Sequence, residues 1–130
     1  ADFERAIVAA GGVDIQILGL GTNGHIGFNE PGSSFDTRTR VQVLAASTRA
    51  DNASYFASPN DVPTLSVTQG LATIMAAKNI ILIAVGERKA AALAAALTGP
   101  VTERCPASIL QRHGSVTVLA DPAAALLLPR

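Results

Sequence analysis

Residues 80–85 read Ile-Ile-Leu-Ile-Ala-Val (IILIAV), an unbroken apolar run of strand length with Gly86 directly behind it. Such a run predicts the central strand of a parallel sheet, buried on both faces because helices cover each side. Behind it, residues 86–99 (GERKAAALAAALTG) carry an Ala/Leu helix pattern closed by Gly99-Pro100. Upstream, Val13, Ile15, Ile17 and Leu18 precede a glycine and predict a second strand. Residues 115–120 (SVTVLA) predict a third, followed by Asp121-Pro122 and a final helical turn through Leu128.

Around these three strands the pattern is less regular. Phe3, Ile7 and Ala10 give residues 1–10 a helical spacing that Gly11-Gly12 stops. Short extended pieces are expected over 41–44 and 62–68, and short helical stretches over 49–56 and 106–113. A helix over 69–77 is expected to be capped by Ser66 or Thr68. Strands alternating with helices predict an α/β fold: a Rossmann-like open, mainly parallel sheet with flanking helices and right-handed crossovers. Three strands are about half the usual complement of a sheet. Together with a first residue that is Ala1 rather than Met, this predicts a partial domain.

Composition excludes several classes of function. Ten Lys+Arg balance ten Asp+Glu among 130 residues. No basic stripe remains for the counterion release that drives nucleic-acid binding, or for a polybasic membrane contact. The chain is 48% apolar, and alanine supplies 24 residues of that fraction, so it is globular with a modest core. Cys105 is the sole cysteine, which rules out an internal disulfide and any Cys/His zinc pattern and suits a reducing cytoplasm. It reads as a small buried hydrophobe ahead of Pro106, and His113 reads as a surface loop residue. No metal site is expected.

Chemistry concentrates between the first strand and residue 40. Gly19-Leu20-Gly21-Thr22-Asn23-Gly24 satisfies G-x-G-x-x-G, but a dinucleotide fold needs a helix to open there. His25-Ile26-Gly27-Phe28-Asn29-Glu30-Pro31-Gly32 opens none, and no acidic residue closes the next strand. A long aperiodic loop at the carboxyl end of a strand remains, the position where open α/β sheets place their sites. Asn23, His25, Asn29 and Glu30 lie within eight residues of it. A carboxylate beside a histidine fixes its tautomer and raises its pKa, which makes a general acid–base pair. Taken singly, His25 could instead satisfy a loop carbonyl and Glu30 could be solvated.

The run GLGTNGHIGFNEP resembles the signature of the glucosamine-6-phosphate deaminase (glucosamine-6-phosphate isomerase) family, G-x-G-x-[DN]-G-H-I-[AG]-F-N-E-P. The related 6-phosphogluconolactonases share the G-x-G-x-D-G-H element without F-N-E-P, so Phe28 to Pro31 separate the branches. The similarity continues through Val62-Pro63, IILIAVGERKAAAL and PASILQRHGSVTVLAD. It covers nearly the whole chain, residues 1–130, but only the C-terminal half of one family domain.

The resemblance implies a cofactor-free enzyme that converts glucosamine 6-phosphate to fructose 6-phosphate and ammonia. It assigns ring opening to His25 with Glu30 as partner, Asn23 where many members carry aspartate, and Gly24 and Lys89 to the substrate. Ser33, Ser34 and Arg40 match a site that binds N-acetylglucosamine 6-phosphate in regulated members, although Gln42 stands where a lysine is usual there. Ser54 replaces an arginine that normally adds a phosphate contact, so that either Arg49 or another cation compensates or phosphate affinity is reduced. The proton-abstracting aspartate lies in the family's first half, and neither Asp2 nor Asp14 sits in the matching motif. Two other readings stay open: a 6-phosphogluconolactonase-like sugar-phosphate hydrolase, and a non-catalytic sugar-phosphate-binding fragment. Family members range from monomers to homo-oligomers.

Overall fold

The computed structural model describes residues 2–129, so Ala1 of the expected first helix lies outside the described residues. Helix α1 (Asp2–Ala9) ends where the amides of Gly11 and Gly12 return to the carbonyls of Val8 and Ile7, at 3.0 and 2.9 Å. Strand β1 (Ile15–Gly19) follows, and then a loop of twenty residues before β2 (Arg40–Val43). Next come α2 (Ala46–Asp51), two short 3-10 turns, β3 (Leu65–Thr68), α3 (Leu71–Met75) and β4 (Asn79–Ala84). A 3-10 turn over Glu87–Lys89 leads into α4 (Ala90–Thr98). A 3-10 stretch, Pro106–Arg112, precedes β5 (Val116–Ala120).

Strands β1, β4 and β5 form a parallel sheet in the order β1-β4-β5, so the IILIAV run is central, as its composition predicts. Within residues 2–129 its burial is one-sided, whereas the sequence predicts cover on both faces. Ile80, Leu82 and Ala84 are buried, with Leu18, against Leu71, Ile74, Leu93, Ala96 and Leu110. The residues that alternate with them point the other way: Ile17 is 63% exposed, Ile83 40% and Leu119 52%. α3, α4 and the 106–112 stretch all contribute to the one core, whereas α1 buries no residue. A continuous apolar run reports what a strand can bury; whether a layer exists on each side depends on other segments.

Strands β2 and β3 pair antiparallel as a separate ribbon, Arg40 opposite Thr68 and Val43 opposite Leu65. Val41, Val43, Leu65 and Val67 share its exposed side. Arg40 and Thr68 share the other, where they bond to Asn29 and to the Phe28 amide of the long loop.

Three local expectations differ from the structure. Neither Ser66 nor Thr68 caps α3, which starts after Gly70; the Thr68 hydroxyl is engaged with the Phe28 amide and the Gln69 carbonyl. Thr37 does the capping from across the loop, its hydroxyl and carbonyl accepting the amides of Leu71 and Ala72, both at 3.0 Å. Residues 122–127 form consecutive turns rather than a helix. His113 lies in the loop ahead of β5 as expected, but half-buried rather than on the surface: Nε2 pairs with the Ala77 carbonyl at 2.8 Å and Nδ1 accepts the Ser115 amide at 3.0 Å. Among the described residues no helix is long and apolar enough to cross a membrane.

Candidate functional site

The long loop leaves the carboxyl end of β1 and folds over a cavity of about 520 Å³. That volume suits a small-molecule ligand. His25, Phe28, Asp51, Tyr55, Gln69 and Lys89 line it, above Gly19 and Gly21 at the strand end.

His25 does not hydrogen-bond Glu30 directly: Nδ1 stands 3.9 Å from Glu30 Oε2. Asn23 bridges them, with Oδ1 at 2.7 Å from His25 Nδ1 and Nδ2 donating to Glu30 Oε2 at 2.9 Å. A carboxylate only accepts, so Glu30 fixes which end of the amide faces it. Asn23 Oδ1 then also accepts the His25 backbone amide at 3.2 Å. An acceptor at Nδ1 requires the proton to sit there. Nε2 is thereby left as the basic nitrogen, with no protein partner among the described residues. The Glu30 carboxylate is only 5% exposed, and its Oε1 accepts the Ala45 amide ahead of α2 at 3.3 Å.

The sequence builds this geometry with two glycines used for different reasons. Gly21 lies under the imidazole, and a Cβ there would stand 2.2 Å from His25 Nδ1. Gly24 turns the chain at φ +86, and its added Cβ would meet Cys105 Sγ at 2.8 Å. Its amide donates to Gly21 O at 3.0 Å and its carbonyl accepts the Ala107 amide at 2.9 Å. Gly24, expected against the substrate, is thus buried on Cys105, and the cavity reaches Gly19, Gly21 and Gly27 instead.

Burial lowers the His25 pKa below its ordinary value; Glu30 and Asp51 oppose this, while Lys89 adds to it. The expected net rise from the carboxylate does not occur, because the loop that brings Glu30 near also withdraws the ring from water. Near neutral pH the imidazole is therefore neutral, and its Nε2 can take a proton from a hydroxyl and return it.

Lys89 also lines the cavity, from the turn that leads into α4, and its charge acts on His25. The turn is fixed by Asp121, whose Oδ1 accepts the amides of Gly86 and Ala124 at 3.0 and 2.8 Å, bonds that hold its carboxyl below the usual range. Asp51 accepts from Thr22 at 2.5 Å and from Arg88 at 2.6 Å, and these bonds lower its pKa. Arg49 does not compensate for Ser54: Nη2 donates to the Val62 carbonyl at 3.1 Å, and Arg49 is absent from the cavity lining. Lys89 is the one cation lining the cavity among the described residues.

Ser33 and Arg40 do meet, Arg40 Nη2 donating to Ser33 Oγ at 3.1 Å. The same Nη2 donates to Gln42 Oε1 at 2.8 Å, and Nη1 donates to Asn29 Oδ1 at 2.7 Å. Ser34 is not part of this cluster; its hydroxyl accepts the Asp36 amide at 3.4 Å and its carbonyl accepts from Thr37. No group of three or more His, Cys, Asp or Glu among the described residues could hold a metal ion.

Sequence reasoning missed Thr48, which is buried on α2 with its hydroxyl 3.5 Å from both Asn23 Nδ2 and His25 Nδ1. It also missed Asp51 and Gln69. All three come from segments without a local motif, and a polar residue on a short helix carries no signal of what it faces.

A family described as glucosamine-6-phosphate isomerases/6-phosphogluconolactonase matches residues 2–119. Among curated proteins, the glucosamine-6-phosphate deaminase of Cutibacterium acnes is 59% identical over 125 residues, covering 96% of this chain and 48% of that protein. The glucosamine-6-phosphate deaminase of Rhodopirellula baltica is 55% identical over 128 residues, covering 98% and 51%. The chain thus spans about half the length of the curated relatives it matches. Among solved structures, a monomeric glucosamine-6-phosphate deaminase of the NagB superfamily superposes with a TM-score of 0.94 at 48% identity, over 97% of this chain and 52% of that one. A 6-phosphogluconolactonase from Leishmania guyanensis is more distant, with TM-score 0.65, 27% identity, and 91% and 42% covered.

Proposed function

Because the chain belongs to the glucosamine-6-phosphate isomerase/6-phosphogluconolactonase family, we propose that it carries the ring-opening part of an enzyme that deaminates glucosamine 6-phosphate to fructose 6-phosphate. The observation that carries this reading is the Asn23 bridge, which fixes the His25 tautomer against a buried Glu30 inside the F-N-E-P loop. In the closed sugar the anomeric hydroxyl is the acidic group. His25 Nε2 takes that proton and delivers it to the ring oxygen as the C1–O5 bond breaks, giving the open aldehyde with no net proton gained or lost. Imidazolium exists only transiently, and Glu30 stabilises it through Asn23.

Lys89 holds the phosphate, where its charge and the start of α4 both favour an anion. Isomerisation across C1 and C2 and loss of ammonia need a second base, which the resemblance places in the family's other half. These residues therefore perform ring opening and part of phosphate binding. The F-N-E-P residues and the greater similarity to deaminases than to the lactonase favour the deaminase branch.

The test is ammonia and fructose 6-phosphate release from glucosamine 6-phosphate by the protein as its reading frame encodes it. Release of both is the expected result. Hydrolysis of 6-phosphogluconolactone with release of neither would replace this reading by the lactonase. Sugar-phosphate binding without any turnover would replace it by a non-catalytic binding protein.

A further inference from the structure

Arg40 opens β2 on the side of the ribbon that faces the long loop, and among the described residues no carboxylate lies within salt-bridge distance of it. Its guanidinium instead spends its donors on three neutral acceptors: Asn29 Oδ1 at 2.7 Å, Gln42 Oε1 at 2.8 Å and Ser33 Oγ at 3.1 Å. Asn29 is fully buried, and its Nδ2 is already committed to the carbonyls of Ile26 and Gln69, at 2.9 and 2.8 Å. Arg40 is thus the partner that completes Asn29. Charge-assisted bonds of this kind are short and about twice as strong as neutral ones.

The two loop residues it grips, Asn29 and Ser33, bracket Glu30, and the Ser33 amide donates to the Glu30 carbonyl at 3.0 Å. We propose that Arg40 is a positioning residue for the acid–base loop: by clamping Asn29 and Ser33 it sets where the Glu30 carboxylate stands against Asn23 and His25. The proposal rests on reading His25 and Glu30 as the ring-opening pair.

The test reads the His25 imidazole directly, by NMR titration of the protein as its reading frame encodes it and of its Arg40→Met, Arg40→Lys, Ser33→Ala and Glu30→Gln variants. The groups facing His25 are Glu30, Asp51 and Lys89; Arg40 is not among those that shift it. Loss of a merely nearby positive charge would raise the His25 pKa. Loss of the clamp lets Glu30 withdraw and lowers it. The expected result is a downward shift in Arg40→Met on the order of half a pH unit, in the same direction as Glu30→Gln, with a smaller one in Ser33→Ala and partial recovery in Arg40→Lys.

A His25 pKa unchanged or raised in Arg40→Met, with His113 still titrating as in the parent, overturns the proposal. If Arg40→Met does not fold, Ser33→Ala alone decides, because it loosens the clamp without orphaning a buried atom; no downward shift there overturns it. A parent chain whose His25 titration responds to added N-acetylglucosamine 6-phosphate, with that response lost in Arg40→Lys, also overturns it in favour of effector binding. None of these readings needs turnover, so a failure of the deaminase assay and a failure of the clamp are separate results.

Discussion

The acid–base part and the proposed anion-binding part of the site are built in different ways. At the acid–base end, Asn23, His25 and Glu30 come from eight consecutive residues, are linked at 2.7 and 2.9 Å, and are withdrawn from water. At the anion end, Lys89 comes from the turn after β4 and Asp51 from α2, and Arg88, tied to Asp51, is 77% exposed along its side chain. Proton transfer works only within hydrogen-bond reach, so its groups are fixed by a short contiguous loop whose polar atoms are paired. Coulomb attraction falls off gradually with distance, so a proposed anion end assembled from separate elements should tolerate the change of one member better than the acid–base loop does. Changes at the first end should therefore cost rate, and changes at the second should cost affinity.

The largest expected effect is His25→Gln, which should lower turnover of the closed sugar by about 10²–10⁴-fold while sparing an open-chain analogue. Equal loss on both substrates breaks the assignment of His25 to ring opening. The same variant should flatten stability against pH. His25 is held below its ordinary pKa, so its share of stability is complete above pH 6.5 and lost as pH falls through the folded value. Denaturant titration of parent and variant on either side of that window measures it.

Gly21→Ala comes next. The added methyl collides with the imidazole, so the ring must swing, at a cost on the order of 10²-fold in kcat with KM little changed; a shift confined to KM would show that the ring tolerates displacement. Lys89→Met should do the reverse, raising KM roughly 10–100-fold at nearly constant kcat. Glu30→Gln removes the carboxylate that opposes the burial of His25, so the acid limb of the rate profile should move to lower pH; an upward move would contradict the pairing. The smallest effect is Ser54→Arg, expected to tighten inorganic phosphate binding by roughly two- to fivefold, as measured by calorimetry. No gain would place residue 54 outside the reach of the anion.

How far the sequence speaks varies from element to element. IILIAV marks the central strand because no polar residue interrupts it, and G-L-G-T-N-G-H-I-G-F-N-E-P marks the acid–base end because its residues are contiguous. Thr48, Asp51 and Thr37 carry no such mark. They act on residues 23 to 34 positions away in sequence, through contacts that a local pattern does not encode. Arg40 lies between these cases, since its residue type was legible and its partner was not. Removing it would orphan the buried Asn29 Oδ1, a loss of about 1–3 kcal/mol, which a cation awaiting a solvent-borne anion would not incur.

Periodicity, glycine placement and one dense motif determined the α/β class, the central place of the IILIAV strand and the histidine and carboxylate of the loop, because each depends on neighbours along the chain. Only the tertiary structure decided that Asn23 stands between His25 and Glu30, that burial outweighs the carboxylate at the imidazole, and that the helices within residues 2–129 gather on one face of the sheet. Those outcomes depend on which groups meet in space and how much water they exclude. A linear sequence fixes them only through the whole fold.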